Sequence, residues 1–255
     1  MQLAAGTVIS KALEITTKNL PTLFLIALVV MVPVGVLNHL LSPRASDVQV
    51  TWKVDQESGA VTVTGGAQPS MGKQLLALVV SMVGQAVVTA AMAYAVFQAL
   101  RGQKADVATS LQKGMGFILP VIGVSVCYGL GVALGLILLV VPGIIVACMW
   151  YVSVPAAVVE SLGVGAALSR SAGLTSGNRM AIFVMNLIVF LLLGLVMFAL
   201  AGVFFSMGVV VGVALSILVG TFVALFGATL TTVCYHELRV GKEGATTEEM
   251  AKIFG

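Results

Sequence analysis

The sequence predicts an all-α polytopic membrane protein with six transmembrane helices, and three observations carry that reading. Hydrophobic residues fill 59% of the 255 positions and charged residues only 9%, against about a quarter charged in a soluble domain. Mean hydropathy is +1.11. The apolar residues come in continuous runs of about 20, enough helix to cross a hydrocarbon core of ~30 Å; membrane strands would alternate instead. Residues 1–255 read as a single integral membrane domain. A formal charge of +3, with no basic cluster or aromatic-basic motif, gives no case for nucleic acid.

Taken in order, residues 3–19 form an amphipathic interfacial helix. Ala5, Val8, Ile9, Ala12, Leu13, Ile15 and Thr16 fall on one side, and Thr7, Lys11, Glu14 and Lys18 on the other. The spans follow at 20–41, 75–100, 117–141, 142–159, 180–203 and 208–235. The fourth is short, with a turn at Val141-Pro142-Gly143 before it. The first lacks the charged flank and short apolar core of a cleavable leader. Loop 42–74 is the one sizeable segment of soluble character. There Val48, Val50, Trp52 and Val54 alternate with polar residues, Asp55 to Gly59 offer a turn, and Val61 and Val63 resume the alternation. These predict a small extracytoplasmic β-hairpin. A linker helix occupies 160–179 and a tail 236–255. With the N-terminus inside, 10 of the 13 Lys and Arg residues lie on the inner side, so the positive-inside rule puts both termini in the cytoplasm.

A shift of 159 residues lays Lys11 on Arg170, Ile15 on Leu174, Thr16 on Thr175, Asn19 on Asn178, Phe24 on Phe183 and Gly35 on Gly194. Each Asn stands where a helix cap is expected. A weaker third copy begins near Asp106–Lys113. The unit is one interfacial helix plus two spans, which gives three parallel hairpin repeats. Gly131-x-x-x-Gly135, Gly208-x-x-x-Gly212 and Gly220-x-x-x-Ala224-x-x-x-Ala228 are small-residue faces for helix packing, within the monomer or in a homo-oligomer.

Three groups of residues then point to one family: the Pro142-Gly143 turn; Val154-Pro155 ahead of Glu160-Ser161-Leu162-Gly163 and Ala167-Leu168-Ser169-Arg170-Ser171; and Leu174-Thr175-Ser176-Gly177-Asn178-Arg179. With Cys234-Tyr235-His236-Glu237-Leu238-Arg239 at the end of the last span, they resemble the membrane domain of some bacterial glycerophosphoryl diester phosphodiesterases and related stand-alone six-span proteins of unknown role. The resemblance covers most of the chain after residue 100. It implies a bacterial inner-membrane protein without the phosphodiesterase, which belongs to a separate soluble domain; 21 residues follow Cys234.

No constellation in the sequence suits catalysis, a metal or a cofactor. The two histidines, His39 and His236, fall at opposite faces, and no His/Cys/Glu spacing fits a metal. No charge falls within a span, which disfavours an ion-coupled pump. The uncharged polar candidates inside the spans are Gln85, Gln98 and Asn186. The remaining charges gather at the inner rim: Glu160, Arg170, Arg179, Glu237 and Arg239, with Asn178 beside them. Glu160 is expected to pair with Arg170 or Arg179, and Glu237 with neighbours of Arg239. The sequence thus suggests a non-enzymatic inner-membrane accessory or scaffold protein whose rim engages lipids, a cytoplasmic or membrane protein, or a second copy. The alternative is a small transporter or lipid-handling channel for an uncharged or amphiphilic substrate.

Overall fold

The computed structural model describes residues 3–41, 50–54, 61–65, 71–206 and 209–244. They fall in two compact units, Met1–Leu28 with Ala86–Gly255, and Val29–Gln85. Among the described residues, six helical stretches are long and apolar enough to cross a membrane: Leu20–Asn38, Met71–Leu100, Ile118–Leu138, Val140–Val159, Arg179–Ala199 and Val219–Glu243. Leu130, Leu134, Ile137, Phe190, Leu195 and Phe198 stand exposed along them, as side chains do when their solvent is lipid. Six such helices make this a multi-pass membrane protein.

In the smaller unit, the far half of α2 (Leu20–Leu41) meets the near half of α3 (Met71–Leu100). Asn38 Nδ2 donates to Ser81 Oγ at 2.9 Å. Between these helices β1 (Val50–Val54) pairs antiparallel with β2 (Val61–Gly65), Trp52 opposite Val63. Val48 and the turn at 55–59 lie outside the described residues.

The larger unit opens with α1 (Ala5–Lys18), which buries Val8, Ala12, Ile15 and Thr16 against α9 (Arg179–Ser206) and α10 (Val209–Glu243). That stripe is narrower than the sequence suggests. Leu13, one position round the helix from Ala12, is 43% exposed. After α3, Asp106 caps α4 (Val107–Gly116), its Oδ2 accepting from the Thr109 N–H at 2.8 Å. Gly114 seats α4 on α3, since a Cβ there would fall 2.9 Å from the Ala91 nitrogen.

The third and fourth spans depart from expectation. The turn between α5 (Ile118–Leu138) and α6 (Val140–Met149) is the single extended residue Leu139, so Val141, Pro142 and Gly143 are already helical. So tight a reversal needs two bare backbones. A Cβ on Gly135 would sit 2.7 Å from the Gly143 Cα. The fourth span is also broken. α6 has 10 residues, about 15 Å of helix, and α7 (Ser153–Val159) resumes only after Trp150–Val152. The carbonyl freed at Met149 is taken by Ser171 Oγ at 2.9 Å and Thr175 Oγ1 at 3.0 Å, both on α8 (Val164–Thr175). Without them a buried carbonyl would cost about 1–3 kcal/mol.

Where α3, α5, α7 and α8 meet, the core is built of small aliphatic side chains. Ala86, Ala90 and Ala93 of α3 meet Val121 of α5 and Val158 of α7, and Val124, Ala157 and Ala167 bring α8 against the same helices. Gly131 faces Trp150 where the break begins, while a Cβ at Gly220 would meet nothing within 4 Å among the described residues. Gly208 lies outside them.

Candidate functional site

Three helix ends meet at one rim. α7 closes in a Schellman turn, the Leu162 N–H reaching the Ala157 carbonyl at 3.0 Å with Ser161 at φ 53°. That turn sets Glu160 at the helix end, pointing at α8 and α10. Arg170 Nε donates to both Glu160 oxygens at 2.9 Å. The Tyr235 hydroxyl donates to Glu160 Oε1 at 2.6 Å and accepts from Arg239 Nη1 at 3.1 Å. Arg239 Nε reaches Glu243 Oε2 at 3.2 Å, and Glu243 Oε1 returns to Arg170 Nη1 at 2.5 Å. The five side chains close a ring with no net formal charge: two carboxylates, two guanidiniums and a phenol.

Its members are partly or largely shielded, Arg239 at 7% side-chain exposure and Glu160 at 16%. The Glu243 hydrogen bond, aided by Glu160 and opposed by partial burial, raises the Arg170 guanidinium above its ordinary value. A network satisfied this completely rigidifies the ends it joins.

Of the rim residues picked from sequence, the ring gathers Glu160, Arg170 and Arg239. The other three stand elsewhere. Glu237, two residues before Arg239, points away from the ring and takes Lys11 of α1 at 2.6 Å; buried His236 has its Nδ1 3.7 Å from the same oxygen. Asn178 does not cap α9. Its Oδ1 accepts from the Leu3 N–H at 2.9 Å and so ties the start of α1 to the start of α9. Asn19 likewise turns back, donating to the Ile15 carbonyl at 3.0 Å. Arg179 forms no ion pair among the described residues, and its buried Nε has no hydrogen-bond partner among them. Tyr235 and Glu243 are ring members that sequence reasoning missed. The signal was their spacing, since 235, 239 and 243 repeat every four residues on one helix face.

Beside the Lys11–Glu237 pair lies a hollow of about 120 Å³. Leu3, Ala4, Thr7 and Val8 of the α1 start form one wall, Asn178 another, and Glu237, Leu238, Gly241 and Lys242 the third. Lys242 crosses to α8, donating to the Gly173 carbonyl at 2.7 Å.

The polar candidates inside the spans scatter. Gln85 is exposed and closes the smaller unit. Gln98 belongs to the last turn of α3 rather than mid-span. Asn186 donates to its own Ile182 carbonyl at 2.9 Å and hydrogen-bonds Tyr151 at the α6–α7 break. Among the described residues no group of three His, Cys, Asp or Glu side chains could hold a metal ion. No protein-family model, curated protein or solved structure matches the chain.

Proposed function

We propose that the chain is a non-enzymatic membrane accessory or scaffold protein whose rim engages a protein partner or lipid headgroups. The observation that carries this reading is the closed ring. Glu160, Arg170, Tyr235, Arg239 and Glu243 spend their polar atoms on one another, which suits a fixed platform and leaves these groups little to offer a reacting substrate.

The same reading takes the fold as three parallel hairpin repeats. In support, α4 lies on α3 through Gly114, α8 packs on α7, and α1 packs on α10. The basic residues related by the shift of 159, Lys11 and Arg170, each hold a carboxylate on a neighbouring element. Two spans per repeat leave α1, α4 and α8 on one face. With the charge bias, that face is cytoplasmic in a bacterial inner membrane, both termini lie inside, and the β1–β2 pair lies outside. The motifs in the linker and at the end of α10 support kinship with the membrane domain of glycerophosphoryl diester phosphodiesterases.

One observation favours the alternative of a small transporter or lipid-handling channel. A span broken at Trp150–Val152, beside Asn186, is the kind of irregularity that lines substrate paths. Native mass spectrometry of gently extracted protein separates the two. The accessory reading expects a stoichiometric second protein or a selectively retained lipid, and a bare chain with neither overturns it. Amphiphile flux into proteoliposomes that falls in Asn186→Leu would favour the channel.

A further inference from the structure

The hollow beside α1 holds charge that the ring does not cancel. Its α1 wall is the start of a 14-residue helix with no side-chain cap, so the first backbone N–H groups carry unspent partial positive charge. Asn178, only 8% exposed, commits Oδ1 to the Leu3 N–H, and its Nδ2 has no acceptor among the described residues. Lys242, on the third wall with Glu237, adds a full positive charge to the lining, its Nζ resting on the Gly173 carbonyl at 2.7 Å. Glu237 is opposite in sign. Lys11 holds its Oε1, while Oε2 takes no donor among the described residues. Glu237 and Lys242 are five positions apart on α10, which separates them by about 7.5 Å of rise.

A plain anion suits the α1 start, Asn178 and Lys242 but meets the Glu237 carboxylate. A plain cation suits Glu237 but meets the other three. A phosphate joined by a short spacer to a primary ammonium satisfies both ends, and a trimethylated ammonium has no N–H for Glu237. Leu3, Val8 and Leu238 give the hollow an apolar side, as an amphiphile needs. We infer that this hollow binds the headgroup of a zwitterionic amino-phospholipid. The phosphate sits at the α1 start with Asn178 and Lys242, and the ammonium reaches Glu237 Oε2. The inference rests on the rim reading and narrows it to one lipid class.

The test is native mass spectrometry of the full chain titrated with phosphatidylethanolamine, phosphatidylglycerol and phosphatidylcholine, with soluble phosphoethanolamine as competitor. The wild type should retain phosphatidylethanolamine about tenfold over the other two, the worth of one charge-assisted hydrogen bond. Glu237→Gln should erase that preference, lowering phosphatidylethanolamine retention and raising phosphatidylglycerol retention as the repulsive carboxylate is removed. Lys242→Met should weaken all three lipids, since each carries the phosphate. Lys11→Met loosens the same α1 contact but keeps the carboxylate, so it should keep the preference; its loss there would mean that α1 docking, not the hollow, selects the lipid. Equal retention of the three lipids, or a preference that survives Glu237→Gln, overturns the inference. Displacement by phosphoethanolamine at lipid-equivalent concentration overturns the lipid as source. A protein partner held without lipid preference sinks this inference alone, whereas a bare chain sinks the rim reading with it.

Discussion

The last turns of α10 present two faces with opposite habits. Tyr235, Arg239 and Glu243, four residues apart, point into the ring and leave no charge uncancelled. Glu237 and Gly241, on the other face, line a hollow whose charges are only partly matched; Lys242, within about 20° of Tyr235 in helical phase, borders it from the ring side. Glu237 and Arg239 are two positions apart, about 200° around the helix, so they cannot share a site. The lesson is that helical phase, not charge content, separates Glu237 from the groups of α10 that close the ring.

The largest effect should come from breaking the ring at its hub. Glu160→Ala leaves the Tyr235 hydroxyl without its acceptor and two guanidiniums sharing Glu243 alone, and should cost about 3 kcal/mol, read as a fall in thermal midpoint in detergent. Glu237→Gln, in a pair with side chains 37% and 27% exposed, should cost less than about 1 kcal/mol. A double-mutant cycle sharpens the contrast. Glu160 and Arg239 should couple by about 1–3 kcal/mol, while Tyr235 of α10 and Lys11 of α1, which share no partner, should add within about 0.5 kcal/mol. Next in size is Tyr235→Phe, which removes one hydroxyl shared by a carboxylate and a guanidinium and should cost roughly 1.5–3 kcal/mol.

How much of this was legible beforehand depends on what each feature answers to. The first span matches its apolar run at both ends, because hydropathy needs no tertiary partner. The break at Trp150–Val152 left one mark, Pro155, which has no N–H for the Tyr151 carbonyl four residues back; what the sequence does not show is that Ser171 and Thr175, some twenty residues on, take the Met149 carbonyl. The Glu160–Arg170 pair was among the expected partners, both residues flanking one short turn. Asn19 and Asn178 looked like caps, but other backbone groups claimed them, Ile15 O and Leu3 N–H. Arg179 looked like a partner for Glu160, but Arg170 took both carboxylate oxygens.

The smallest effect concerns a carboxylate outside both faces. The Thr109 hydroxyl, then its N–H, hold Asp106 below the ordinary carboxylate range. A depressed carboxylate stabilises the fold above its unfolded value of about 3.9, and that contribution is lost as pH falls through the lower folded value. Asp106→Ala should therefore flatten the acid limb of a melting-point profile and leave its neutral plateau only slightly lowered.

The claim that α10 divides its labour by face is tested most directly by measuring two quantities on two variants. Thermal midpoint and phosphatidylethanolamine retention are compared in Tyr235→Phe and Glu237→Gln. The account predicts that Tyr235→Phe lowers the midpoint and keeps the lipid, while Glu237→Gln loses the lipid preference and nearly keeps the midpoint. If both variants move the same quantity together, the two faces are one site and the account is wrong.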